Sequence, residues 1–293
     1  MDYPDFVELM NQQVIAGEKR LILQQIADHP DCYQILFNVN PPRARLLQVM
    51  LSTREIRFAE ALRVLIKQLL QELGYSILPG RIKDAEENDL AVDPHFAGGK
   101  AYYFLDQRMR DDLDSIQRGN LVRNFTQRLD ALHRLHGDRL VGILYFLDPN
   151  QVRQRSFFSE ALAQLRREFS TELHLFYGSE FFAYLGQPSF WVVVVNSLLE
   201  WKKGIDELPL PDFDGDPQSS FNELRTLDHR YWWNLVIEDS LWEDRILQTL
   251  FRNGETLALL KDYFAEQNTA PFPLLTRALA SRLEKYYQLK PQG

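Results

Sequence analysis

The sequence is poor in cysteine and in long apolar runs. It contains one cysteine, Cys32, in 293 residues, which excludes a disulfide framework and a zinc site built from several cysteines. The apolar stretches at residues 140–147 and 190–195 are both far shorter than the roughly 20 residues that cross a bilayer. The first ten residues, MDYPDFVELM, carry acids where a secretory signal is basic. These absences predict a cytoplasmic protein with no membrane partner.

The chain also lacks a glycine-rich nucleotide-binding motif and an excess of basic residues. Its net charge is −8, which argues against a protein that coats nucleic acid along its whole surface. The charge is unevenly distributed, however. Residues 100–170 contain 12 Lys and Arg against 9 Asp and Glu, whereas residues 201–266 contain 7 against 14. The middle third therefore remains compatible with local binding of a polyanion.

The spacing of apolar residues changes along the chain and indicates the fold class. The first third and the last third have helical spacing, and residues 118–135 do too, with Leu121, Phe125, Leu129 and Leu132 as the expected buried stripe. Strand patterns occupy residues 75–78, 90–96, 101–105, 140–147 and 173–177, with Gly98 and Gly99 as a hairpin turn. This order predicts an α/β fold with a mixed central sheet flanked by helices.

A division of the chain into three parts follows from the same pattern. Residues 1–50 are expected to form a helical N-terminal part, residues 51–190 an α/β core, and residues 191–293 a mainly helical C-terminal part. The three parts are also compatible with one continuous domain.

Two aspartates on neighbouring strands of the predicted hairpin are the strongest candidates for a site. Asp93 lies in LAVDPHF and Asp106 in YYFLDQR, and paired strands bring such residues together when their register agrees. Arg108 follows Asp106 by two residues, so it shares its face of the strand. Converging carboxylates favour Mg²⁺, which activates water for phosphodiester hydrolysis while a nearby cation stabilises the transition state. The alternative is that these acids only end strands and cap turns.

The residues around Asp106 resemble a known family. In type II restriction endonucleases of the TdeIII-like group, within the PD-(D/E)XK nuclease superfamily, a strand ending in Glu-Gln-Lys leads into Arg-Asp-Asp-His-Asp-Ser, then a Gly and an Asn-Phe pair. This chain has Asp106-Gln107-Arg108, then residues 110–115 (RDDLDS), Gly119 and Asn124-Phe125. The resemblance extends through YFLDP and LFYGSEFF and covers roughly residues 50–225.

The resemblance implies a restriction-endonuclease-like core and a Mg²⁺-dependent enzyme that cuts double-stranded DNA. Asp93, Asp106 and the Gln107 backbone carbonyl would then hold the metal, Arg108 would stabilise the phosphorane, and Glu60 would be a helical acid added to the site. A homodimer would cut both strands of a symmetric sequence, and a DNA methyltransferase would be the genetic companion.

The active-site pattern departs from the family's at two positions. Asp-x-Arg replaces Glu-x-Lys, giving D-x12-D-x-R, and Leu113 stands where the family has histidine. Because arginine does not lose its proton, Arg108 can stabilise charge but cannot act as a general base. A catalytically degenerate, DNA-binding nuclease fold is therefore one alternative function. A helical protein-interaction module is another.

Three further arginines are candidates for contacts with DNA phosphates. Arg110, Arg118 and Arg123 lie in and just after the RDDLDS segment. Arg118, Arg123 and a further arginine, Arg128, follow one another at five-residue spacing and do not share one helical face, so solvated positions remain the alternative for each.

Overall fold

The structure is a computed structural model that describes residues 2–33, 41–150, 152–205 and 212–288. The chain divides into two compact units. The first, here the α/β unit, comprises Met1–Gln13 and Phe58–Ile205; the second, the helical unit, comprises Val14–Arg57 and Asp206–Gly293. These boundaries do not coincide with residues 50 and 190, and the three-part division stays a prediction.

Helices occur in both units, and the strands lie in the α/β unit. The helices are α1 Tyr3–Met10, α2 Glu18–Asp28, α3 Pro42–Glu72, α4 Ser115–His136, α5 Arg155–Phe169, α6 Ser179–Tyr184, α7 Pro188–Lys203, α8 Pro217–Leu224, α9 His229–Ile237, α10 Asp239–Glu243, α11 Ile246–Leu250, α12 Glu255–Ala265 and α13 Phe272–Leu283. The strands are β1 Ser76–Ile77, β2 Arg81–Lys83, β3 Asp89–Ala91, β4 His95–Gly98, β5 Ala101–Arg108, β6 Leu140–Phe146 and β7 Glu172–Tyr177. Within the described residues, no helix is long and apolar enough to span a membrane.

A mixed five-stranded sheet in the order β1-β4-β5-β6-β7 organises the α/β unit. β1, β4 and β5 pair antiparallel, whereas β5, β6 and β7 pair parallel. Parallel neighbours need a crossover connection, and here α4 joins β5 to β6 while α5 joins β6 to β7. The predicted α/β class and mixed sheet are confirmed.

The central strands match their sequence patterns closely. Every residue of β6 is buried, as an unbroken apolar run predicts for a strand with both faces covered. Gly99 joins β4 to β5 with a φ of +60°, a left-handed conformation that glycine adopts without strain. The hairpin is confirmed.

The predicted strand at residues 90–96 was wrong. The structure divides it into β3, which pairs only with β2, and β4, which belongs to the large sheet. The break falls at Asp93-Pro94, a cis peptide bond. Proline has no N–H to give to a strand ladder, so the pairing of this segment is interrupted there.

Helix α4 is fixed to the sheet at its start and along its length. Asp114 caps its first turn, and Gln117 closes the capping box. Leu121, Phe125 and Leu129, with Leu132 one turn further, are buried, as the predicted stripe requires, and they belong to the cluster of apolar side chains that includes Leu144 and Phe158.

The loop before α4 is anchored by Asp111, which is fully buried. Its carboxylate accepts hydrogen bonds from the Tyr177 hydroxyl at 3.0 Å and from the backbone N–H groups of Arg153 and Gln154. Burial, followed by the hydrogen bond to Asp111, raises the pKa of Tyr177, so the hydroxyl keeps the proton that it donates.

Candidate functional site: a cationic recess at the end of strand β5

Asp106 lies near the end of β5, where the strand still pairs with β6. The predicted strand ended at Leu105, but the parallel register continues from Asp106 opposite Leu144 to Arg108 opposite Phe146. Asp106 and Arg108 therefore belong to the paired part of strand β5 and not to the loop that follows it. The Asp106 side chain is only 4% exposed, and a buried carboxylate requires charged or hydrogen-bonding partners.

Two guanidinium groups hold the Asp106 carboxylate. Arg108 donates through Nε to Oδ1 at 3.0 Å and more weakly through Nη2 to Oδ2 at 3.5 Å. Arg128, from the fourth turn of α4, donates through Nη1 to Oδ2 at 2.6 Å. The Arg128 side chain is itself only 22% exposed. Asp106 therefore fixes the orientation of two arginines that come from different elements.

Asp93 approaches the same place from the neighbouring segment. It directly precedes Pro94, whose carbonyl accepts a hydrogen bond from the Leu105 N–H at 3.0 Å, so the segments stay adjacent beyond the last β4–β5 pair. The Asp93 carboxylate forms an ion pair with Lys67 of α3 at 2.5 Å. A Cβ placed on Gly80 would lie 3.0 Å from the Asp93 Cβ. A glycine at position 80 therefore lets the backbone pass close to the Asp93 side chain.

These side chains line a concave site, here called the strand-end recess, with a volume of about 170 Å³. Its charged lining residues are Arg63, Asp93, Asp106, Arg108 and Arg128. A shallower depression of about 550 Å³ shares Arg63 and Asp93 with it and adds Lys67 and Arg81. Together the two are lined by five cationic side chains and two carboxylates, so their combined surface is electropositive.

Two of the arginines that line the strand-end recess have a buried Nε–H group without an acceptor among the described residues. These arginines are Arg63 and Arg128. A buried donor that stays unpaired costs about 1–3 kcal/mol. Because these nitrogen atoms have almost no solvent-accessible surface, an anion in the recess would reach them only if the arginine side chains moved.

The predicted site residues fall into two groups. Asp93, Asp106, Gln107 and Arg108 line the recess together, and the Gln107 side-chain oxygen is buried without a partner among the described residues. Glu60 is not one of the lining residues; its carboxylate is 47% exposed and pairs with Arg63 one turn further along α3. The roles assigned to these residues stay predictions.

The three arginines predicted to contact DNA lie in different surroundings. Arg110 is exposed, with a distant ion pair to Asp148 at 3.9 Å. Arg118 donates to the Gln154 side chain and lies over the Phe157 ring, which gives it a local structural role. Arg123 is exposed on α4.

Sequence reasoning missed two of the cations around the recess, and it missed the contact that a third, Arg128, makes with Asp106. Arg63 and Lys67 are four residues apart on α3, so they share a helix face, and this spacing is the one local signal that could have found them. Arg128 is separated from Asp106 by 22 residues, and only the packing of α4 on the sheet reveals their contact.

A histidine pair lies further along the β4–β5 hairpin. His95, opposite Phe104, is 3.1 Å from His136 between their Nε2 atoms, and its Nδ1 is 3.2 Å from the Pro79 carbonyl oxygen. The contact to a carbonyl makes Nδ1 the protonated nitrogen of His95, so His136 donates through Nε2. Burial lowers the pKa of both histidines.

The donor set does not fit Mg²⁺ as it stands. Both oxygens of Asp106 accept from guanidinium groups, and Asp93 is paired with a lysine. The described part of the chain contains no group of three or more His, Cys, Asp or Glu side chains placed to hold a metal. A hard cation prefers several oxygen ligands, whereas this recess presents more positive charge than negative. Its electrostatics suit an anion.

Comparison with protein-family models, curated proteins and solved structures found no match. The resemblance to the TdeIII-like endonucleases therefore stays a prediction, carried by residues 106–125 and the segments that follow.

Proposed function

We propose that the protein binds double-stranded DNA and that the strand-end recess holds one phosphate of its backbone. The observation that carries this proposal is the recess itself, whose charged lining consists of three arginines against two aspartates that are already paired with cations. Phosphate oxygens are strong acceptors for planar guanidinium groups. The choice of DNA among phosphate compounds rests on the family resemblance.

Asp106 has a positioning role in this proposal. By accepting from Arg108 and Arg128, it holds both guanidinium groups in fixed orientations and leaves other N–H groups free for an anion. Asp93 does the same for Lys67. Holding the cations before DNA arrives reduces the side-chain entropy lost on binding.

A second candidate is the Mg²⁺-dependent type II restriction endonuclease that the resemblance implies, acting as a homodimer beside a methyltransferase. The observation that favours it is that Asp93, Asp106 and Arg108, the residues of the D-x12-D-x-R pattern, line one recess. The endonuclease is the second candidate because the carboxylates of Asp93 and Asp106 are already paired with cationic side chains.

The decisive experiment measures binding and cleavage on the same DNA. Purified protein would be incubated with a sequence-diverse plasmid and duplex library in EDTA, Mg²⁺ or Mn²⁺, and binding would be followed over a series of salt concentrations. Salt-dependent binding in EDTA supports the DNA proposal, because phosphate contacts release counterions. Discrete fragments in Mg²⁺ support the endonuclease. Absence of salt-dependent binding in every condition would reject both.

Arg128→Gln tests the recess directly. We expect it to weaken DNA binding roughly three- to tenfold at physiological salt and to lower the salt slope by about one, since one phosphate contact is lost. The matched control is Arg134→Gln, because Arg134 lies on the same helix, is half exposed and pairs with Asp130. Equal binding by the two variants would exclude the recess as the phosphate site.

Asp106→Asn separates the two candidates. If the recess binds a phosphate, the variant keeps salt-dependent binding in EDTA within about tenfold of wild type, because the arginines remain although the amide positions them less firmly than the carboxylate does. If the recess binds Mg²⁺, the variant loses cleavage that the wild type shows.

A further inference from the structure

Helix α4 has an outward face whose side chains differ in kind from those of its buried face. Its exposed residues include Ile116, Asn120, Arg123, Asn124 and Gln127. At 100° per residue these five lie within about 100° of arc, so they form one continuous strip over the first three and a half turns. This strip is called the α4 face below.

The α4 face adjoins the strand-end recess. Arg128, which reaches Asp106 at 2.6 Å, lies about 40° around the helix from Asn124. A single helix therefore presents one side chain to the recess and a strip of side chains beside it. A ligand large enough to extend beyond the recess along α4 would meet this strip.

The α4 face carries the chemistry of base readout. From Ser115 to Arg128 the sequence has three arginines and no aspartate or glutamate, although the whole chain is acidic. Asn and Gln amides pair with the donor and acceptor of adenine in the major groove, and arginine pairs with guanine. Ile116 is apolar yet 73% exposed, which suits contact with a thymine methyl group.

The exposed side of the next helix differs from the α4 face by its carboxylates. On α5, Glu160 and Glu168 are exposed beside Arg155, Arg166 and Arg167. Gln164 donates to Glu168 at 2.8 Å. Carboxylates there would meet the DNA backbone unfavourably. Gln164 is therefore a matched control for the amides of the α4 face.

We infer that the α4 face enters the major groove and reads base pairs next to the phosphate held by the strand-end recess. Asn124 and Gln127 contact adenines, and Arg123 contacts a guanine. This inference rests on the proposed binding of DNA and adds to it the residues that determine sequence specificity.

The test is selection of preferred sequences from a randomised duplex pool in EDTA. Wild type would be compared with Asn124→Ala/Gln127→Ala, with Arg123→Ala, and with the control Gln164→Ala, all at exposed positions. We expect the wild type and the control to enrich the same motif. Each α4 variant should lose preference at one or two base pairs and bind the wild-type motif about 5- to 100-fold more weakly, with binding to unrelated duplex within about twofold.

Two results would overturn the inference while leaving the DNA proposal intact. In the first, the wild type binds DNA with salt dependence but enriches no motif, or the α4 variants enrich the unchanged motif. In the second, the variants weaken binding equally for all sequences and lower the salt slope, which identifies phosphate contacts. If the wild type shows no salt-dependent binding at all, the proposed function fails first.

Discussion

Two buried aspartates, one in each unit, show how differently a carboxylate can be accommodated. Asp214 in the helical unit accepts from the backbone N–H groups of Asn253, Gly254 and Thr256 at 2.8 to 2.9 Å. Asp106 in the α/β unit accepts from two arginine side chains. The backbone N–H groups are held in place by the fold. Guanidinium groups on side chains at a recess can instead exchange one hydrogen-bond acceptor for another. We therefore interpret Asp214 as structural and Asp106 as part of a working site.

The surroundings of the two residues extend the contrast. Asp214 contacts the start of α12 through these hydrogen bonds, and its neighbour Phe213 belongs to the buried cluster of the helical unit that includes Trp232, Trp242 and Phe251. Two further polar side chains are buried near Asp106 in the α/β unit. His95 is titratable, and the side-chain oxygen of Gln107 has no partner among the described residues. Buried carboxylates hold backbone segments in both units, as Asp214 and Asp111 do, and the α/β unit in addition has Asp106 and Gln107 in the lining of a recess.

The largest effect should come from removing the structural carboxylate. Asp214→Ala leaves three backbone donors unpaired, and hydrogen bonds to a charged group contribute about 1.5–3 kcal/mol each. We expect a loss of about 3 kcal/mol or more in unfolding free energy, measured by urea unfolding, and faster hydrogen exchange at residues 253–256. Asp262→Ala, at an exposed position of α12, should change stability by less than about 0.5 kcal/mol. A loss below about 1 kcal/mol for Asp214→Ala would show that the two aspartates are more alike than proposed.

An intermediate effect should follow from acidification of the α/β unit. The pKa of His95 and of His136 lies below the ordinary value of about 6.5 in the folded state. The unfolded chain therefore binds protons first as the pH falls through about 6.5, and the stability contributed by the neutral pair is lost towards lower pH. The urea midpoint should fall between pH 7.5 and pH 5.5.

His95→Gln should reduce this dependence, whereas His229→Gln, an exposed position in the helical unit, should leave it unchanged. Hydrogen exchange would locate the acid-sensitive segment. Greater acid sensitivity of the helical unit than of the hairpin β4–β5 would contradict the assignment.

The smallest effect is expected at Glu60. Its carboxylate is half exposed, pairs with Arg63, and is not among the lining residues of the strand-end recess, so Glu60→Gln should change DNA binding by less than about twofold. Exposed ion pairs contribute at most about 1 kcal/mol. If the wild type cuts DNA in Mg²⁺ and Glu60→Gln does not, Glu60 acts as the helical acid that the family resemblance implies.

The sequence predicted those elements whose causes are local. The all-apolar run of β6, the buried stripe of α4 and the glycine turn before β5 each depend on residues within one segment, and the structure has all three. The split at Asp93-Pro94 was also locally encoded, because the proline was visible, but the apolar residues on both sides suggested one strand.

What the sequence did not predict depends on contacts between distant segments. β5 continues to Arg108 because β6 pairs with it in parallel more than thirty residues later. Arg128 and Lys67 reach the two aspartates from helices packed on the sheet. The pattern D-x12-D-x-R contains the acids but not these cations, so it favoured a metal site and gave no sign of the positive charge that lies around the acids.

The ion pair between Arg128 and Asp106 also links two kinds of recognition. Arg128 lies on α4, whose first turn is capped and whose buried stripe packs in the apolar cluster of the sheet, so helix and strand hold the guanidinium and the carboxylate at one separation. A phosphate in the recess and a base pair at the α4 face would therefore have to lie at one fixed spacing. A duplex whose groove width changes that spacing would lose one contact or the other.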